Sequence, residues 1–210
     1  MEGRIMRDLI RQVTKGYKGI KLEGQDKGFI VLSGKEPGSR QRVVIKVPPR
    51  LLNRDPQIAR RFEGLAQAIR QLNHPNIAAV QQIGEKAGLP YIVTRVLEKA
   101  QPLVARLDQP WAVDAAADVV MQVGQALDHA YRQGVVHGNL TPENILVADD
   151  GQVQVTDIGL EELAELVGGR ALDAASPFLA PERRAGQPAA APADVYSLAA
   201  VLYSLLAHRP

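Results

Sequence analysis

Three short runs rich in β-branched residues crowd the first fifty positions: Ile20–Leu22, Phe29–Leu32 and Val43–Val47. Branching at Cβ stiffens χ1 and favours a pleated strand over a helix. Gly24, Gly28, Gly34 and Gly38 punctuate the runs, and Pro48-Pro49 stops the third, since proline cannot donate to a ladder. A strand meander is the expected outcome. Two further runs, Ala78–Ile83 and Tyr91–Leu97, flank a turn at Gly84–Gly88. Between the third and fourth runs, Ile58, Phe62, Leu65, Ile69 and Leu72 recur at helical spacing over 56–72. Ile5, Leu9, Ile10 and Val13 predict a short amphipathic helix over 5–14. The first 97 residues thus predict a five-stranded sheet carrying one helix.

Beyond that point the period changes. Val113, Ala117, Val120, Val123, Leu127 and Tyr131 form a stripe over 112–132, and Gly134 supplies a stop. Ile145–Val147 and Val153–Val155 flank Asp149-Asp150-Gly151, a hairpin signal. Residues 161–192, mostly Ala, Gly, Pro and charge, predict a long loop, and 194–207 a final apolar helix. The expected fold is α+β and bilobal, a small five-stranded antiparallel lobe with one helix beside a mostly helical lobe. Its expected units are an N-terminal helical extension (1–16), the sheet lobe (17–97) and the helical lobe (98–210). A site is expected where the lobes meet.

Bulk properties remove several function classes. Twenty-five basic against 23 acidic residues leave a formal charge of +2, too small a surplus to argue for nucleic acid or a charged membrane surface. With no cysteine, disulfides, zinc–thiolate sites and thiol nucleophiles are excluded. No run approaches the ~18 apolar residues of a spanning helix, and residues 1–18 hold no signal-peptide core. A soluble, cytoplasmic protein is the expectation.

Five pieces then fall in order. Val43-Val44-Ile45-Lys46 lies in a strand, and His137-Gly138-Asn139-Leu140-Thr141-Pro142-Glu143-Asn144 follows the long helix. Asp157-Ile158-Gly159 follows a strand, Ala180-Pro181-Glu182 follows a loop, and Asp194-Val195-Tyr196-Ser197-Leu198 opens a helix. Asn139 precedes Asn144 by 5 residues and Asp157 by 18, and Glu182 precedes Asp194 by 12. In order and spacing this set resembles the eukaryotic-type protein kinase signature in its serine/threonine form, as also found in bacteria. Any one piece alone is weak. A strand-end lysine is commonly solvated, Asp157 alone could cap a turn, and His137 reads as a packed histidine.

The resemblance implies ATP and Mg²⁺ as ligands. It implies that Lys46 holds phosphates and that Asn144 and Asp157 bind the metal. It places Gly28 at the third glycine of the phosphate-covering loop and Val44 and Leu146 against the base. Thr94 matches the gatekeeper, and Arg95 to Leu97 match the hinge whose backbone holds adenine. Departures from the family pattern are equally specific. Glu23 and Gln25 stand at the first two loop glycines. Leu65 stands where the lysine's helical Glu partner belongs, and Glu63 lies about 200° around the helix. Without that partner, Asp157 could pair with Lys46 instead. Asn139 replaces the catalytic Asp, Thr141 the phosphate-steadying Lys, and Gly138 the Arg that reads an activation-loop phosphate.

Three readings follow. The first is a pseudokinase with weak ATP–Mg²⁺ binding that acts through a protein partner. The second is a weakly active serine/threonine kinase, and the third a nucleotide-free scaffold. The resemblance also implies helices beyond Pro210 and an arginine partner for Glu182. On that expectation Leu202, Leu205 and Leu206 form an apolar patch that a partner covers.

Overall fold

The structure is a computed structural model, described over residues 10–26, 29–39, 41–47, 56–86, 89–166 and 172–207. Five strands, β1 (Lys18–Asp26), β2 (Phe29–Lys35), β3 (Arg42–Val47), β4 (Val80–Lys86) and β5 (Leu89–Arg95), pair antiparallel in the order β1-β2-β3-β5-β4. Helix α1 (Pro56–Gln71) joins β3 to β4. β1 is longer than Ile20–Leu22 predicts because two register shifts let a polar, glycine-bearing segment keep pairing with β2.

Alternation along β3 sorts its residues between two environments. Val43, Ile45 and Val47 are fully buried, packing with Leu32, Tyr91, Val93 and Val13. Val13 belongs to the helical residues 10–13 and packs with the sheet beside Ile10, while residues 5–9 of the helix expected over 5–14 lie outside the described residues. The intervening Val44 and Lys46 face the junction with the second lobe.

That lobe is built on α2 (Val113–Arg132). A small sheet of β6 (Gln101–Pro102), β7 (Ile145–Val147) and β8 (Val153–Val155) lies beside it. The buried stripe of α2 runs through Ala116, Val119, Val123, Ala126, Leu127 and Ala130. Val113, expected in that stripe, is 67% exposed in the first turn, and the buried face runs through Ala116 and Val119 rather than the partly buried Ala117 and Val120. Phe62, Ala66 and Ile69 of α1 join this lower core, which ties α1 to the site rather than to the upper core.

Residues 161–192 contain two helices where a loop was expected: α3 (Leu160–Leu166) and α4 (Pro181–Arg184). Leu160, Leu163 and Ala164 give α3 an apolar face at i, i+3 and i+4, and Glu161 and Glu162 suit its first turn. The Ala/Pro-rich remainder masks that stretch when the segment is judged as a whole. The last helix, α5 (Ala191–Ala207), packs on α2. Leu205 faces α2 with Val201 and is fully buried, so it is core and not part of an exposed patch. Leu206 is 42% exposed, beside Tyr203 on the outer face. No helix among the described residues is long and apolar enough to cross a membrane.

Candidate functional site

Period-two alternation builds the roof of a cavity between the lobes. Val31 of β2, Val44 of β3, and Thr94 with Val96 at the end of β5 point down, and Leu146 of β7 points up. Cross-strand register sets Val44 opposite Thr94 and Lys46 opposite Val31, which keeps these side chains on one face. The cavity has a volume of about 260 Å³. This is just below the ~300–1,000 Å³ usual for small-molecule pockets. Glu23 lies at its rim and accepts a hydrogen bond from Ser33 Oγ. Gly28 lies outside the described residues.

Charge gathers at the inner end. Lys46 is 8% exposed, and its Nζ lies 2.6 Å from Asp157 Oδ2. Asn144 Nδ2 donates to the same oxygen at 2.7 Å, and Thr141 Oγ1 donates to Asn144 Oδ1 at 2.9 Å. A buried ammonium is tolerated because a carboxylate compensates it. Asp157 has a φ of 66°, a left-handed conformation that Asp adopts more readily than most residues. The Lys46–Asp157 pair is the one the sequence offered as the alternative to a helical glutamate. Glu63 instead lines a groove between α1 and β4, and Leu65 packs against the lower core.

The hinge residues divide. The Arg95 side chain pairs with Glu36 at 3.0 Å, outside the cavity. Leu97 N–H donates to Gln154 Oε1 at 3.1 Å, and Gln154 Nε2 donates to Ile77 O at 3.4 Å. Val96, which sequence reasoning passed over as a lining residue, follows Thr94 by two and shares its face. That alternation was the available signal.

The loop carrying Asn139 is hung from α5. Asp194, fully buried, accepts from His137 N and Gly138 N at 2.8 Å each. It also accepts from the Tyr131 hydroxyl at 3.2 Å. Burial, and secondarily the Asp194 carboxylate, raise the Tyr131 pKa well above the ordinary phenol value, so this hydroxyl stays a donor. Gly138 sits at φ 79°, and a Cβ there would lie 2.8 Å from Ala189 Cβ. The packing of 189 leaves no place for the family's arginine. Asn139 is 7% exposed, and its Nδ2 donates to Glu161 Oε2 on α3 at 3.1 Å.

Two residues missed in the sequence stand out. Glu161 came from the supposed loop. Arg183, 2% exposed, donates to Gly138 O at 3.3 Å and pairs with Glu165 of α3 at 3.0 Å. Arg183, next to Glu182, does the anchoring in this segment.

Comparisons with known proteins identify the family and the fold. The family description for the protein kinase domain matches residues 24–210. The probable serine/threonine-protein kinase PknB of Lactococcus lactis is 31% identical over 212 residues, covering 97% of this chain and 32% of that protein. The serine/threonine-protein kinase PknB of Mycobacterium leprae is 34% identical over 177 residues, covering 80% of this chain and 28% of its own length. The chain therefore spans about a third of the length of the curated relatives it matches. The crystal structure of the Mycobacterium tuberculosis PknI kinase domain superposes with a TM-score of 0.70 at 24% identity. It covers 93% of this chain and 74% of that one, a likeness of fold. The chain belongs to the protein kinase family, with bacterial serine/threonine-type kinases as its relatives.

Proposed function

We propose that the chain is a pseudokinase: a protein-kinase fold that has lost efficient phosphoryl transfer, binds ATP–Mg²⁺ weakly and acts through a protein partner. The observation that carries this reading is Asn139. Its amide oxygen is not basic enough to take a hydroxyl proton. Its nitrogen is already donating to Glu161. Loss of a positioned base costs about 10²–10⁴-fold, or ~3–5 kcal/mol of barrier. Thr141, standing where the family has a lysine, bonds Asn144 and brings no cation. The exposed outer face of α5, with Tyr196 and Tyr203, supports a role in contacts. Residues 17–97 and 98–210 are the two lobes in this reading and 1–16 the extension, of which Ile10 and Val13 pack on the first lobe.

Protein kinases use ATP and Mg²⁺, and the residues present fit that pair in part. Asp157 and Asn144 offer the oxygen donors a hard cation takes, and Lys46 offers a point charge for phosphate. Asn144 would have to turn its amide to present Oδ1. The Thr141 hydroxyl can accept as readily as it donates, so that turn leaves both groups satisfied. Val44, Thr94 and Leu146 would bound the base. When bound, the nucleotide supplies the transferable phosphoryl group. Against tight binding, Gln154 holds the Leu97 N–H that a purine would need, and Glu23 adds negative charge at the rim.

Thermal unfolding with millimolar ATP plus Mg²⁺ tests the binding. A ligand at a hundredfold its Kd adds about 2.7 kcal/mol. A smaller stabilisation is expected for the wild type, and none for Lys46→Ala or Asp157→Ala. A shift that survives both substitutions would remove these residues from the site, and no shift in the wild type would leave a scaffold.

A second reading, a weakly active serine/threonine kinase, is favoured by one observation: Lys46, Asn144 and Asp157 converge on a fully assembled loop. Phosphoryl transfer depends largely on positioning and electrostatics. Transfer that rises in Asn139→Asp would support it, and none in either form would count against it.

A further inference from the structure

Helix α3 lies where the acceptor side of the site would open. It begins directly after Gly159 and buries Leu160, Leu163 and Ala164 against α1 and the lower core. Glu161 and Glu165, four residues apart, share the face toward the loop. Glu161 Oε2 receives Asn139 Nδ2 at 3.1 Å, and Glu165 Oε1 receives Arg183 Nη2 at 3.0 Å. The space left among Lys46, Asn139, Asp157 and Glu161 is about 20 Å³. That is room for roughly one water.

We propose that Asn139 is the donor of a latch that, through Glu161, holds α3 closed over the acceptor side of the site. The chain as folded then has a cavity for a nucleoside but no room for a substrate hydroxyl. The proposal rests on the pseudokinase reading and gives Asn139 a positive role in it. A carboxylate at 139 would face the Glu161 carboxylate at about 3 Å, where two buried like charges cannot both stay ionised without penalty. An amide of the same shape removes one charge and adds a donor. The polarity of residue 139 therefore sets whether α3 closes, and the Arg183–Glu165 pair fastens it one turn further on.

The test is amide hydrogen exchange over residues 160–166 in the full chain at neutral pH, with N139D, E161Q and N139D/E161Q. Losing a hydrogen bond to a charged group speeds local opening by about 10- to 100-fold. N139D is expected to accelerate exchange in that range. The double variant, which exchanges donor and acceptor, is expected to restore most of the protection. Unchanged exchange in N139D, or a double variant as fast as N139D, would overturn the latch. Should N139D fail to fold, E161A is expected to exchange faster than E161Q, whose amide oxygen still accepts; equal rates would overturn it equally. Lys46-dependent phosphate transfer by the wild type would defeat the pseudokinase reading without altering these rates, so the two failures are distinguishable.

Discussion

Replacing Asp194 with alanine is expected to lower the unfolding free energy by about 3–5 kcal/mol. Its carboxylate is fully buried and satisfies the backbone N–H groups of His137 and Gly138 at 2.8 Å. Truncation leaves both donors buried without an acceptor. The Tyr131 hydroxyl fares better, because it also reaches Ala191 O at 3.3 Å. Asp194→Asn retains one acceptor and should lose less. Urea unfolding, with a midpoint shift at unchanged slope, measures the loss. A loss under about 1 kcal/mol would mean that water or a rearranged loop replaces the carboxylate. The consequence for the site is direct, because the same two N–H groups place Asn139.

The second large effect is expected at Gly159, where alanine should cost about 2–5 kcal/mol. The residue sits at φ 78°, in the left-handed region. A Cβ would lie 2.7 Å from Ile69 Cδ1 and 2.9 Å from Val135 Cγ1. Both neighbours are core residues at 1% and 0% exposure, with little room to retreat. Strain and overpacking therefore add. The overpacking component should shrink when Gly159→Ala is made in an Ile69→Val background, as a double-mutant cycle in urea would report. An alanine variant as stable as the wild type would contradict the tight seating of α1 on the turn that launches α3.

Much of this was legible because the relevant signals are local. The β-branched run at Val43–Val47 identified the strand, and the resemblance carried by the spacing of Asn139, Asn144 and Asp157 implied a shared site where the lobes meet. The Lys46–Asp157 pair was one of two alternatives that the leucine at position 65 left open. What stayed hidden depends on contacts between distant segments. Helix α3 is two turns long and was lost within a segment of biased composition, although Leu160, Leu163 and Ala164 carried its period. The Asn139–Glu161 bond joins residues 22 apart through tertiary packing, and no pattern in either segment announces it. Gln154 holding Leu97 across 57 residues is the same kind of miss. Leu205 and Leu206 differ in burial only because α5 turns one toward α2, a direction fixed by the partner helix.

The central claim is that the chain does not transfer phosphate efficiently. The measurement that tests it most directly is Mg²⁺-dependent transfer of the γ-phosphate of ATP to a generic protein acceptor and to the chain itself, wild type beside Lys46→Met. With an amide at 139 and Glu161 filling the acceptor side, the two proteins are predicted to give the same background. Transfer by the wild type that Lys46→Met abolishes would contradict the account.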